Sequence, residues 1–103
     1  MREINIEGRK MVTKERAQLH IQHRMDWPDS YGKNLDALWD GLVGIRKTTA
    51  IHFFDPDVLT DNLGQYGVEI VKTFEDAAKA NSKIVLDMDA SGLFFPQCLI
   101  WTL

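Results

Sequence analysis

The chain has 103 residues and a net charge of −3, with 45% hydrophobic and 26% charged residues. That is enough for one domain with its own core and too little for two. No apolar run approaches the ~18 residues of a membrane-spanning helix, and the single cysteine, Cys98, excludes an internal disulfide. With no apolar signal-peptide core after Met1, a cytosolic, membrane-free protein is expected.

Arg2 to Ile6 alternates in polarity and predicts a strand ending near Gly8. Thr13 to Met25 predicts a helix capped by Thr13, with Ala17, Ile21 and Met25 on its inner face. Trp27 and Pro28 end it. His20 and His23, three apart on this helix, are expected at the surface, because a metal site needs further ligands of suitable geometry; no cofactor is expected. Asn34 is a good N-cap for a helix to Val43, and Gly44 is a natural stop. Thr48 to Phe54 is β-branched and aromatic, hence a strand. His52 within it is expected to be a paired structural residue. Asp55 and Pro56 predict an N-cap and first helical residue, with the helix running to about Leu63. Gly64 and Gly67 punctuate. Val68 to Ala80 then predicts a helix burying Ile70, Val71, Phe74 and Ala78, with Asp76 pointing outward. Ile84 to Leu86 is expected to be a buried parallel strand. The order β-α-α-β-α-α-β implies helical crossovers and a small parallel sheet in a single α/β domain.

Charge is uneven. Residues 1–24 carry six Lys/Arg against three Asp/Glu, whereas residues 25–76 carry four against ten. An acidic middle argues against direct nucleic-acid binding, which needs Lys and Arg, and suits a basic protein partner; the alternative is an ordinary solvated acidic face. Within it, Leu35, Leu38 and Leu42 form an apolar stripe, while Asp36 and Asp40 share another face with Trp39 at its margin. Like charges at i, i+4 oppose the helix by about 0.2–0.5 kcal/mol. The macrodipole further disfavours Asp40 near the C-terminal end. Charges set against local stability point to a role other than folding. A catalytic carboxylate pair needs a cleft that drives two pKa values apart, which adjacent turns of an exposed helix do not supply.

The run Tyr31-Gly32-Lys33-Asn34-Leu35-Asp36-Ala37-Leu38-Trp39-Asp40 resembles the signature of the barstar family, intracellular inhibitors of the extracellular ribonuclease barnase. Weaker similarity covers residues 3–89. The resemblance implies a three-stranded parallel sheet packed against about four helices, formed by residues 1–90. It also implies a non-enzymatic inhibitor of a basic, guanyl-specific type of ribonuclease. The carboxylate at the position of Asp40 would sit where a substrate phosphate binds, among the enzyme's Arg and His groups. Asp36 would make a second charged contact. Asp76 matches an acidic position on a neighbouring helix where the family has the longer Glu. Tyr31, Asn34, Trp39, Val43 and Gly44 complete the implied contact surface, although Asn34 and Trp39 also have structural duties, and Gly32 is expected to supply a positive φ. The family has aromatic residues where this chain has Ser30 and Ile45, threonine at Val43, and an acidic residue at Lys33; Arg46 adds a further positive charge. These departures point to a different cognate nuclease or to weaker binding of barnase-type enzymes. An immunity partner for another basic nuclease or toxin is the second reading, and a small carboxylate hydrolase the third. Residues 91–103, with eight hydrophobic positions of thirteen, form an extension expected to cover a sheet edge, to pair between subunits, or to be a stretch not selected for folding.

Overall fold

The computed structural model describes residues 2–89; the expectations for 91–103 lie outside them. Strand β1 (Arg2–Glu7) leads through a short 3-10 turn (Gly8–Lys10) to α1 (Lys14–Met25) and α2 (Leu35–Val43). Then follow β2 (Thr49–Phe54), α3 (Pro56–Leu63), α4 (Gln65–Ala80) and β3 (Ile84–Asp89). The strands form one parallel sheet in the order β1-β2-β3, with Ile4 opposite Ile51 and Ile51 opposite Leu86. This is the expected α/β domain with a three-stranded parallel sheet and four helices.

Strand alternation divides the sheet into two faces. Ile4, Ile6, Ile51, Phe53 and Ile84 turn inward and meet Ala17, Ile21 and Met25 of α1, Leu38 and Leu42 of α2, and Ile70, Phe74 and Ala77 of α4. Phe53 and Phe74 meet edge to face at 5.2 Å, the favoured aromatic geometry. The opposite face is open among the described residues: Glu3, Asn5 and Asp87 are exposed, and Val85 is 51% exposed. The expectation that β3 is a buried strand therefore needs correction. Its alternation is that of a half-buried strand, and six residues rather than three join the sheet.

Two further differences come from contacts between distant segments. Helix α4 begins at Gln65, three residues before the predicted start, because Gly67 is part of the helix. A Cβ there would lie 2.7 Å from the Leu59 carbonyl oxygen, so the glycine lets α3 and α4 approach closely. Asp55 adopts a left-handed conformation (φ 52°) and does not cap α3 with its side chain. Arg9 takes that carboxylate at 3.0 Å. Asn34 and Thr13 do cap, accepting the Ala37 and Arg16 amides at 2.7 and 3.1 Å.

Candidate functional site: the acidic face of helix α2

The second helix is short, and three sets of interactions fix it. Leu38 and Leu42 are fully buried and anchor its inner stripe, with Leu35 and Val43 packed partly against the core. Asn34 closes the N-terminus. At the other end no basic side chain lies in the last turn. Instead Asn81, just past α4, directs its amide nitrogen at the carbonyls of Leu42, Val43 and Ile45 at 3.0, 3.3 and 3.0 Å. It thereby reinforces a helix end whose last carbonyls lack intrahelical donors; the Leu42 carbonyl also takes the Ile45 amide at 3.2 Å. Gly44 is the C-cap with right-handed backbone (φ −82°).

The approach to the helix is equally constrained. Gln22 donates to the Pro28 carbonyl at 2.9 Å. Gln18, 2% exposed, accepts the Tyr31 hydroxyl and donates to the Tyr66 hydroxyl at 2.7 Å. Burial, with a smaller contribution from Tyr66, raises the Tyr31 phenol pKa well above its ordinary value. The Tyr31 and Trp27 rings lie 5.0 Å apart. Contrary to expectation, the positive φ in this loop belongs to Lys33 (57°) and not to Gly32. Gly32 instead fits tightly against Ala37, whose Cβ a side chain at position 32 would meet at 3.1 Å.

On this frame Asp36, Trp39, Asp40 and Val43 occupy one arc of α2, from the 100° step per residue. Asp36 and Asp40 are exposed, Trp39 is 37% exposed and Val43 is half-buried. Asp36 lies in the first turn, where the helix dipole favours it, so only Asp40 opposes the dipole. Asp76 is on α4, which packs against α2, and is half-buried rather than fully outward. Among the described residues the carboxylates of Asp36, Asp40 and Asp76 take part in no hydrogen bond or ion pair. Tyr31 and Asn34, by contrast, have their polar groups engaged within the fold.

Gln18, Gln22 and Asn81 are absent from the sequence-based site. The first two had a readable signal: they share the buried stripe of α1 with Ala17, Ile21 and Met25, where an amide must find partners. Asn81 had none, since its acceptors lie 36 to 39 residues earlier. Of the histidines, His20 alone differs from expectation. His20 is half-buried, accepts the Glu7 amide at 2.9 Å and titrates below 6.5, chiefly through burial and then through Arg24. His23 is exposed. His52 is paired as expected, 3.2 Å from Glu3 and 3.4 Å from Asp87 on the open sheet face.

Comparison with known proteins agrees with this architecture. A family model described as "Barstar (barnase inhibitor)" matches residues 1–90. A Bacillus subtilis (strain 168) protein described as "Putative ribonuclease inhibitor YrdF" is 32% identical over 93 residues, spanning 84% of this chain and all of that protein. With the matched segment running from β1 to the end of β3, this chain belongs to the barstar family.

Proposed function

We propose that this chain is a cytosolic protein inhibitor of a basic ribonuclease, and that it works by inserting the acidic face of α2 into the enzyme's active site. The observation behind this reading is that Asp36 and Asp40 are exposed and without a partner among the described residues, within a family described as barnase inhibitors. A ribonuclease binds phosphate with cationic groups, and a carboxylate offers the same groups a bidentate acceptor for Arg. Asp40 takes the phosphate position, Asp36 makes a second contact, and Asp76 reaches the rim from α4. Tyr31, Asn34, Trp39, Val43 and Gly44 shape the surround. Complementary charge speeds encounter, most at low salt. The reading needs no cofactor and no chemistry by the chain itself. Two carboxylates on the exposed side of one helix lack the enclosed, asymmetric environment of a hydrolytic pair.

Calorimetric titration into a purified barnase-type ribonuclease, with RNA cleavage followed in parallel, tests this. The expected result is one-to-one binding that abolishes cleavage and weakens as salt rises. Binding that leaves cleavage intact would remove the active-site plug.

A second reading, an immunity partner for a different basic nuclease, draws on the rim. Ser30, Lys33 and Arg46 are exposed, and Ile45 is half-buried against the core. The carboxylates are thus flanked by two cations and few free aromatic surfaces, although aromatics are enriched among binding hot spots. Absence of binding to a barnase-type enzyme at low salt, with tight binding to another basic nuclease, would select this reading.

A further inference from the structure

Gly41 stands inside α2, in its last turn and directly after Asp40. Glycine there costs about 0.5–1 kcal/mol relative to alanine, in a nine-residue helix too short to persist alone. The space its side chain would fill is taken. A Cβ on residue 41 would lie 2.7 Å from two carbon atoms of the Trp27 indole and 3.1 Å from a third. The indole thus rests directly on the backbone of the acidic helix. Trp27 also packs on Tyr31, whose hydroxyl is held by buried Gln18. Its own amide donates to Gln22 at 3.0 Å.

We propose that Trp27, seated on Gly41 and backed by Tyr31 and Gln18, is a brace that positions the acidic face of α2 for its partner. The inference rests on the proposed inhibitor function and adds positioning residues to it. A helix held in its binding orientation before encounter loses less freedom on docking, and that saving appears as affinity. The brace carries no charge, so it leaves electrostatic steering alone and acts on the lifetime of the complex.

The test is a cycle of Gly41→Ala, Trp27→Leu and the double variant, measured as association and dissociation rates against a barnase-type ribonuclease at a temperature where melts show every variant folded. Gly41→Ala is expected to speed dissociation by about tenfold with association nearly unchanged. The double variant is expected to dissociate more slowly than Gly41→Ala alone, because leucine lacks the ring atoms that meet the new methyl group. Wild-type dissociation in Gly41→Ala, or effects that simply add, would overturn the proposal. Fluorine NMR of 5-fluorotryptophan-labelled protein supplies a readout independent of any partner. Gly41→Ala must shift the Trp27 resonance, and an unmoved resonance removes the brace whatever the nuclease does. If Trp27 responds but the wild-type chain binds no basic ribonuclease, the functional reading fails and the contact is reduced to packing.

Discussion

Two regions of this molecule treat charge in opposite ways. Around the 3-10 turn after β1 and on the open sheet face, carboxylates are matched by nearby cations. Glu7 meets Arg24 at 2.7 Å and Lys10 at 3.4 Å, Asp55 meets Arg9, and Glu3 and Asp87 flank His52. On α2, Asp36 and Asp40 have no such partner among the described residues. Exposed ion pairs contribute only about 0–1 kcal/mol each, so stability alone does not explain the contrast. Local pairing cancels a field, whereas neighbouring unpaired carboxylates add theirs and attract a basic surface. The fold also treats the two helices differently. Helix α1 uses twelve residues, two buried glutamines among them, to organise its surroundings. Helix α2 is held at both ends by groups outside it and leaves its charged side to solvent.

The sharpest way to break the comparison is Asp40→Ala. If the carboxylate is reserved for a partner, its removal weakens the ribonuclease complex by about 2–5 kcal/mol, a range to which barnase–barstar itself contributes. The melting temperature of the free protein should hold or rise slightly, because an anion disfavoured by the helix dipole is gone. Calorimetry on the complex and thermal melts on the free chain check both halves. Substantial unfolding of the free variant would place Asp40 among the structural charges.

Asn81→Ala probes the frame instead of the charge. The Val43 and Ile45 carbonyls lose the Asn81 amide, while that of Leu42 keeps the Ile45 amide at 3.2 Å, and a buried group left unsatisfied costs about 1–3 kcal/mol. Chemical denaturation should show a loss in that range. An unchanged midpoint would mean that water replaces the amide without penalty.

The contrast also sets what was legible in the sequence. The acidic face follows from the arithmetic of one helix, with Asp36 and Asp40 four apart and Leu35, Leu38 and Leu42 on another side. The helices and strands follow from similar local periodicities, and their alternation implies the parallel sheet. What holds the face in place is not local. Asn81 caps a helix from a later element, Trp27 fills the space above Gly41, and Gln18 joins Tyr31 to Tyr66 across three segments. The left-handed conformations of Lys33 and Asp55 were not legible either: lysine gives no hint of that region, and aspartate, though enriched there, occurs too often in this chain to single out one position. The half-exposed β3 escaped because three apolar residues in a row have no readable period.

Lys33→Glu sharpens the comparison on the binding side. Lys33 is exposed immediately before the N-cap of α2, and it places a cation beside the carboxylates that the proposed function directs at a basic enzyme. Reversing it is expected to raise the association rate about threefold to tenfold at low salt, with the gain fading as salt increases. Stopped-flow mixing at two ionic strengths measures it. A slower association would mean that the partner presents an acidic rim at this point and is not of the barnase type.

The smallest effect concerns the paired region, at His20. Its Nε2 accepts the Glu7 amide at 2.9 Å, so the folded state requires the neutral ring. Burial, and then Arg24, lower its pKa from 6.5. Above that value the imidazole is neutral in folded and unfolded chains alike, and its contribution to stability is complete. As pH falls, the unfolded chain takes up the proton first. Stability is therefore lost between about pH 6.5 and the lower folded pKa. Urea midpoints at about pH 7.5 and about pH 5.5 should show this decline. In His20→Gln the amide oxygen can accept the Glu7 N–H without titrating, so the decline should be smaller. An equal decline in both proteins would assign the acid sensitivity to groups other than His20.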